Sequence, residues 1–334
     1  AALQGGPDGN ADPEAAQRAL AGTHPDVTVL ATEKVVISIA EARNLVSLAQ
    51  RAPSQGKWRV IIVEDADRMG EQTGNVLLKA IEEPVPRTVW LLCAPSPQDV
   101  MVTIRSRCRK VSLRIPPPQA VADLLVRRDG IEPQLALECA HEAQSHVGVA
   151  RRLATHPPAR AFRHSVLDLA TSIRGVGDAV LAAGRLVEAA TEQSKEATAE
   201  RDEQEKAELL RSMGAETGGT LPPAVRAQVR QLEEEQKRRS RRSLLDGLDR
   251  ALVDLLSFYR DVLAVQFGSD VDLINAGAAE GVRRVAADTV PETTLHRMDA
   301  VGKARTRLGA NAAPLLTIEA MAVALRPQME PDGR

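Results

Sequence analysis

The stretch WRVIIVEDADRM, residues 58–69, decides the fold of the N-terminal part of this chain. Its first half is apolar and rich in β-branched residues, a composition that predicts a buried strand. The strand leads directly into three carboxylates, Glu64, Asp65 and Asp67. An apolar strand that ends in adjacent acids is where P-loop nucleotide hydrolases hold Mg²⁺ and orient the attacking water. These acids are therefore the candidate cofactor-binding residues.

Neighbouring segments extend this strand into a sheet. GNVLLKAIEEP (74–84) predicts an amphipathic helix that stops at its proline, and TVWLLC (88–93) predicts a second buried strand. Upstream, THPDVTVL (23–30) predicts a turn followed by a short strand, and Ser38 with Glu41 forms a capping-box pattern that opens a helix. Because buried strands alternate with helices, the sequence predicts a parallel α/β sheet flanked by helices.

Proline clusters divide the chain into three parts. PPP (116–118) is a strong break in the pattern, and HPP (156–158) is the next one. We expect an α/β core over residues 1–115, a small helical lid over 116–157 and an all-α domain over 158–334.

The all-α part contains a strongly charged stretch. Residues 191–208 and 225–242 are polar helical segments with few apolar positions, and they flank the Gly/Pro-rich tip GAETGGTLPP (214–223). This pattern predicts a protruding helical hairpin inserted over about 191–242. Regularly spaced leucines over 244–263 predict a long helix with an apolar stripe after it.

The composition of the 334 residues excludes several classes of protein. A net charge of −2 argues against a globally basic coat for nucleic acid, and 2% aromatic residues leave few rings on which bases could stack. Cys93, Cys108 and Cys139 are far apart, which excludes zinc fingers and a disulfide framework, so no metal site is expected. No apolar run approaches the roughly 20 residues that span a bilayer. We expect a cytoplasmic protein without membrane contact.

The chain contains no G-x-x-x-x-G-K-[ST] loop, the segment that holds the β- and γ-phosphates in P-loop enzymes. It is therefore expected to complete or sense a nucleotide site rather than to hydrolyse nucleotide itself. Glu64 stands where Asp is usual and Asp65 where the activating Glu is usual, so the acid pair is inverted. An alternative is that the three acids hydrogen-bond loop amides at the strand end, and without a P-loop lysine this alternative is preferred.

A cationic turn, TIRSRCRK (103–110), follows the second strand and carries the candidate catalytic residues Ser106, Arg107 and Cys108. A planar guanidinium on a short turn can reach γ-phosphate oxygens bidentately across a subunit boundary. Supplied in trans, such an arginine finger neutralises charge in the transition state. The alternative is a surface arginine in a generally basic turn. On spacing alone both interpretations remain open.

A second basic run, KRRSRR (237–242), also has two interpretations. It could contact DNA phosphates, or it could be the solvated face of a helix. The acidic run EEE (233–235) offsets its charge locally, which favours the solvated face.

Five segments carry a resemblance to a known family: AGTHPDV (21–27), VIIVEDADRM (60–69), NVLLKAIEEP (75–84), TIRSRC (103–108) and GVARRLA (148–154). In this order they resemble the delta-prime family of bacterial DNA polymerase III clamp-loader subunits, a branch of the AAA+ proteins. The resemblance covers about 21–155. The Arg- and Ala-rich composition of the chain is similar to that of actinobacterial members. It implies an AAA+ core, a helical lid and an all-α collar domain, the last matched by class alone.

The resemblance also implies a function. Clamp loaders are ring-shaped assemblies that use ATP to open a sliding clamp and close it around primer–template DNA during replication. Delta-prime is similar in fold to the ATPase subunits but does not hydrolyse ATP. The family's arginine finger falls on Arg107 and would enter the ATP and Mg²⁺ site of the neighbouring tau/gamma subunit. Tau/gamma and delta would be the partners, this chain would bind no cofactor, and nucleotidyltransferase activity would belong to the polymerase complex.

Arg151 lies in the segment that resembles the family's lid helix. In AAA+ lids an arginine in this position contacts a bound γ-phosphate, whereas the alternative is a solvated arginine at a helix start. The alternative is preferred because this chain is expected to bind no nucleotide itself.

Two departures from the family pattern affect these expectations. Family members carry an upstream segment with a P-loop or its remnant, so we expect an N-terminally truncated core here. The zinc-binding cysteines usual before AGTHPD are missing from residues 5–20.

Two other functions remain open from the sequence. The first is a tau/gamma-type ATPase truncated before its P-loop. Two features oppose it: the inverted acid pair, and Pro95 at a position where a sensor Ser or Thr is common. The second is a coiled-coil adaptor built on the charged hairpin.

Overall fold

The computed structural model describes residues 12–32, 36–213 and 222–326, without the side chains of residues 223 and 224. The predicted tip of the hairpin lies almost entirely outside the described residues, as does the first part of the cysteine-free stretch 5–20. The chain divides into two compact units, Ala1–Leu113 and Arg114–Arg334. This boundary lies two residues from the end of the predicted α/β core.

The first unit is built on a three-stranded parallel sheet with strand order β1-β2-β3. In β1–β2 the register pairs Val27 with Val60, and in β2–β3 it pairs Arg59 with Thr88. The predicted parallel arrangement is confirmed. The strands are β1 (Val27–Leu30), β2 (Arg59–Val63) and β3 (Thr88–Leu92), and the helices are α1 (Pro13–Leu20), α2 (Ile39–Ala49), α3 (Glu71–Glu82) and α4 (Val102–Arg105).

Local sequence explains where these helices begin and end. The capping box of α2 is present: the Glu41 N–H donates to the Ser38 hydroxyl, and the Ser38 N–H donates to the Glu41 carboxylate at 2.8 Å. Helix α3 begins three residues earlier than predicted. It ends at Glu82 because Glu83, the residue before Pro84, leaves the helical region of the backbone at φ −122° and ψ 68°.

The central strand β2 supplies the core of the first unit. Its alternate residues Ile61 and Val63 are fully buried, and they share one apolar cluster with Leu45 of α2, Leu77 of α3 and Ile104 of α4. Burying a side chain of this size contributes about 1.5–3 kcal/mol. The cluster therefore fixes the carboxyl end of β2 relative to the turn that carries the candidate arginine.

The described residues of the second unit form helices joined by loops, as the sequence predicts for most of it. The helices over residues 118–155 share a buried cluster that includes Val121, Leu125, Ala136, Ala140 and Ala150. Several of its helices begin at a proline, whose missing N–H costs nothing in the first turn, so the PPP and HPP breaks are also helix starts. The helices are α5 (Pro118–Asp129), α6 (Pro133–Glu142), α7 (Val147–Thr155), α8 (Pro157–Ser172), α9 (Val176–Ser212), α10 (Pro223–Gln266), α11 (Ala279–Asp288), α12 (Pro291–Gly309) and α13 (Pro314–Leu325).

The charged hairpin is formed by α9 and α10, which contain 37 and 44 residues. The predicted separation of the second arm of the hairpin from the following long helix was wrong. One continuous helix carries both, because no Gly or Pro break separates residues 242 and 244. Near the tip the two helices pair through the apolar residues Leu209, Leu210, Val225 and Val229, whereas Leu232 is half-buried outside that cluster.

A buried polar network ties the second unit together around Arg163, which is 2% exposed. Its guanidinium lies 3.2 Å from the Glu142 carboxylate and 3.3 Å from that of Asp254. It also donates to Asn275, whose own side-chain and backbone N–H groups donate to Asp261. The network joins α6, α8 and α10 to the loop before α11.

We expect Asp254 to make the stability of this unit fall as pH rises through the weakly acidic range. Burial raises the pKa of Asp254 from 3.8 to about 6, although Arg163 opposes the shift. Since the folded-state pKa lies above the unfolded one, the folded state binds the extra proton between about pH 4 and about pH 6, and stability falls as that proton is lost. Asp254→Asn should therefore gain stability relative to wild type on going from about pH 4 to about pH 7 in urea unfolding.

The matched control is Asp299→Asn, which changes an exposed aspartate of α12. Its difference from wild type should be the same at both pH values. A pH-independent difference for Asp254→Asn would show that this carboxylate keeps its ordinary pKa.

Candidate nucleotide-facing site

The three acids after β2 have different surroundings. Glu64 is exposed, and its backbone N–H donates to Leu30 of β1 at 2.9 Å. Asp65 has a left-handed backbone at φ 53° and ψ 47°, and its carboxylate lies 3.8 Å from Arg68. No group of three or more His, Cys, Asp or Glu side chains that could hold a metal ion is found among the described residues.

Asp67 is half-buried in the structure. Burial raises the pKa of Asp67, and the neighbouring carboxylate of Asp65 adds to the rise, while its own backbone N–H opposes it. Its Oδ1 atom is buried, with no hydrogen-bond partner in the described part of the chain. The backbone interaction of Asp67 is in line with the preferred alternative, that these acids bond loop amides.

The left-handed backbone of Asp65 makes a sharp turn directly after β2. The next N–H, from Ala66, donates to the Cys93 carbonyl at 2.7 Å and so ties the turn to the end of β3. A non-glycine residue in this region carries strain of about 1–3 kcal/mol, which the packed strand ends must hold. Asp65 is therefore turned toward Arg68 rather than continuing the line of the strand.

Arg107 stands on a turn that is anchored on both sides. Ile104 is fully buried, and Cys108 is half-buried against the same core cluster. The Arg107 N–H donates to the Ile104 carbonyl at 3.0 Å, and the Ser106 hydroxyl donates to the Thr103 carbonyl at 3.1 Å. The backbone position of Arg107 is thus fixed, while its side chain is 36% exposed.

The Arg107 guanidinium is paired with groups of its own chain. Its Nε lies 3.1 Å from the Glu82 carboxylate, and its Nη1 donates to the Thr103 carbonyl at 2.8 Å. A guanidinium carries more N–H groups than these contacts use, so some remain for another acceptor. An exposed ion pair of this kind contributes about 0–1 kcal/mol, little enough for a phosphate to compete with it.

The side chains next to Arg107 pack against the core or bond to backbone carbonyls. Burial raises the pKa of the Cys108 thiol, so it stays protonated and packs as an apolar side chain. The Ser106 hydroxyl is engaged with a backbone carbonyl. Arg105 donates to the Pro97 carbonyl at 3.0 Å. Of the predicted triplet, Arg107 alone presents a charge.

Asp26, to which the sequence pattern assigned no role, is fully buried and organises the loop over 51–57. Its carboxylate accepts N–H groups from Ser54, Gln55 and Gly56, each at 2.7 Å, and the Arg59 guanidinium at 3.0 Å. Burial alone would raise the pKa of Asp26, but these hydrogen bonds outweigh it and lower the pKa to about 2. The sequence signal that could have identified Asp26 was its place in the THPD turn before β1.

Arg151 lies in the second unit, in the middle of α7. The helix starts at Val147, with the His146 side chain accepting the Val149 N–H, so the expected place at the helix start was wrong. The Arg151 guanidinium holds Asp129 of α5 through contacts of 2.9 and 3.0 Å. The Arg128 and Arg151 side chains lower the pKa of Asp129, which keeps it ionised as their common partner.

The basic run 237–242 forms ion pairs within the hairpin and along its own helix. Arg239 holds Asp202 and Glu205 of α9, and Arg242 lies 3.3 Å from Asp246. These contacts favour the interpretation of the run as a helix face that holds the hairpin together.

Comparison with known proteins finds relatives of the N-terminal part of this chain. Residues 5–117 match the family model described as "DNA polymerase III, delta subunit". The chain is 36% identical over 127 residues to DNA polymerase III subunit delta' of Pseudomonas aeruginosa, covering 37% of this chain and 39% of that protein. It is 35% identical over 109 residues to the Escherichia coli delta' subunit, covering 32% and 33%.

The gamma/tau subunit of Mycobacterium bovis is also similar, at 35% identity over 89 residues, which cover 27% of this chain and 15% of that protein. A solved gamma subunit-related protein of Thermotoga maritima aligns with 64% of this chain and 84% of its own at 20% identity, with a TM-score of 0.32. A likeness of that extent carries no argument about the site.

The matched relatives are subunits of DNA polymerase III. Residues 5–117 of this chain are similar to its delta' subunits. The chain matches about a third to two fifths of the length of the delta-prime relatives. No helix in the described ranges is long and apolar enough to cross a membrane.

Proposed function

We propose that this chain is a non-hydrolysing clamp-loader subunit that lends Arg107 to ATP bound with Mg²⁺ on a neighbouring tau/gamma subunit. The observation that carries the proposal is the exposed Arg107 guanidinium on a turn anchored by buried Ile104 and half-buried Cys108. Such a support holds a charge at a fixed place while leaving it accessible to another chain.

The chemistry requires only positioning and charge. During phosphoryl transfer, negative charge spreads over the oxygens of the transferred group, and a guanidinium beside them stabilises that state more than the ground state. Because the finger acts only when the subunit boundary closes, hydrolysis is coupled to the geometry of the assembly.

The remaining parts of the chain fit the same role. Delta and tau/gamma are the proposed direct partners, and the sliding clamp and primer–template DNA are reached through the complex in the cytoplasm. The helical segment 158–334 is the proposed collar, which contacts neighbouring subunits, and 116–157 is the lid on the core over 1–115. Glu64, Asp65, Asp67 and Arg151 are proposed to be vestiges of a nucleotide site.

The second candidate is a tau/gamma-type ATPase, which the match to the Mycobacterium bovis gamma/tau subunit favours. The inverted Glu64–Asp65 pair and the ion pair of Asp65 with Arg68 oppose it. Reconstitution with tau/gamma and delta, comparing wild type with Arg107→Ala, tests the leading proposal. A requirement for catalytic acids of this chain would instead favour the ATPase.

Glu82 is expected to act as a positioning residue for the finger. In Glu82→Gln the charged contact to Arg107 Nε is lost, and the guanidinium samples more orientations. Because an exposed pair contributes little, we expect kcat of the neighbour's ATPase to fall by about two- to fivefold with KM for ATP unchanged. Steady-state kinetics of the reconstituted complex measures both constants.

The control for this variant is Glu83→Gln, which removes the adjacent exposed carboxylate. It should leave both constants at their wild-type values. An equal or higher kcat for Glu82→Gln would mean that Glu82 does not help to place the finger.

A further inference from the structure

A cavity of about 580 Å³ lies between α8, α11 and α12 of the second unit. Three arginines line it, Arg174, Arg284 and Arg297, together with two aspartates, Asp168 and Asp288. The titratable side chains of the lining therefore carry an excess of one positive charge. The volume falls within the range of roughly 300–1,000 Å³ that small-molecule sites occupy.

Arg297 is the unusual residue of this lining. It is 4% exposed, and its buried Nε has no hydrogen-bond partner among the residues that the structure describes. Within the described part of the chain, no carboxylate forms an ion pair with it. A buried cation without a counter-ion is strongly unfavourable, because desolvation removes the water that would otherwise stabilise it.

The nearest aromatic ring does not supply the missing charge. The Arg297 guanidinium carbon lies 6.0 Å from the centre of the Tyr259 ring, a distance that allows a cation–π attraction. Burial raises the pKa of Tyr259 to about 12, so the phenol stays neutral at pH 7. Its hydroxyl oxygen is also buried and finds no hydrogen-bond partner within the described ranges.

The other charged groups of the lining are exposed, and none of them neutralises Arg297. Arg174 and Arg284 have no ion-pair partner in the described part of the chain, and Asp168 and Asp288 form no ion pair there either. The cavity thus combines one buried arginine with two arginines that water still reaches. An anion entering it would meet all three.

We infer that this cavity is a binding site for a small oxyanion, a phosphate or carboxylate group, held by Arg297 together with Arg284 and Arg174. Guanidinium groups bind both oxyanions through paired N–H donors, and the contacts strengthen where water is excluded. The inference is independent of the role proposed for Arg107, which lies in the other unit.

Thermal unfolding of the full chain tests the site, with inorganic phosphate and succinate as separate probes and sodium chloride at equal ionic strength as the reference. The Tm should rise with the concentration of at least one oxyanion, as mass action requires for a ligand of the folded state. A response to phosphate alone identifies a phosphate site, and a response to succinate alone identifies a carboxylate site. Arg284→Ala should weaken binding by about tenfold or more, since a charge-assisted contact is lost.

Two further variants separate binding from folding. Arg283→Ala removes the adjacent exposed arginine of α11, which does not line the cavity, and should bind like wild type. Arg297→Met should abolish the oxyanion response without lowering the Tm measured in chloride, because an unpaired buried charge is removed. The inference is overturned if neither oxyanion raises the Tm above chloride, or if Arg284→Ala and Arg297→Met respond like wild type.

Discussion

Replacing Arg107 by alanine should lower the ATPase rate of the reconstituted clamp-loader complex by about 10³-fold or more, the effect of removing an arginine finger. The reason is that the guanidinium charge stabilises the transferring phosphoryl group only in the transition state. Folding should be unaffected, since the side chain is 36% exposed and its pair with Glu82 contributes little. The measurement is ATP turnover with clamp and primed DNA present, beside gel filtration of the assembled complex.

Arg109→Ala is the matched control, because Arg109 is an exposed arginine on the same turn. Its turnover should stay close to wild type. Arg107→Lys keeps the charge but loses the planar fork, so it should recover only a small part of the rate. Unchanged turnover in Arg107→Ala, with the complex intact, would remove Arg107 from the proposed role.

Replacing Asp26 by asparagine should destabilise the first unit by about 3–5 kcal/mol, the usual effect of breaking a buried charged network. The carboxylate accepts backbone N–H groups from Ser54, Gln55 and Gly56 and pairs with Arg59. An amide cannot accept all of these donors, and it leaves the buried Arg59 charge unpaired. Since whole domains are stable by about 5–15 kcal/mol, part of the unit should unfold near room temperature.

Asp26 also predicts a pH dependence with a defined sign. Its folded-state pKa of about 2 lies below the unfolded value of 3.8, so its stabilisation is present above about pH 4 and is lost as pH falls toward 2. The loss amounts to about 2 kcal/mol in wild type and should be missing in Asp26→Asn. Chemical unfolding followed by circular dichroism over that range measures it.

The control for Asp26→Asn is Asp99→Asn, an exposed aspartate in the same unit. It should change stability by less than about 0.5 kcal/mol, as surface substitutions usually do. If both variants unfold at the same denaturant concentration as wild type, the loop over 51–57 is not held by Asp26.

The sheet was predictable because its signal is local. The apolar run before Glu64 and the run over 88–93 each determine a strand by composition alone, and the order of strands and helices determines parallel pairing. The capping box at Ser38 was predictable for the same reason. The continuous helix α10 was missed because the change from charged to apolar residues suggested two elements where the backbone needs only one.

The site was predictable only in part. The sequence singled out Arg107 by its place in the Ser-Arg-Cys turn, but its partner Glu82 lies 25 residues away on another helix. Asp26 contacts a loop 28 residues further along the chain, and nothing in the local pattern connects the two. Contacts between distant segments depend on packing, which spacing does not encode.

By itself, the sequence determined the alternation of strands and helices, the family resemblance of the first unit and the candidate arginine. The tertiary structure alone decided that Glu64 is exposed while Asp67 is half-buried, that Arg151 is held by Asp129, and that Arg297 is buried in a cavity without a counter-ion among the described residues. The physical reason is range: propensity and periodicity act over a few residues, whereas burial and charge pairing arise only when packing brings distant residues together.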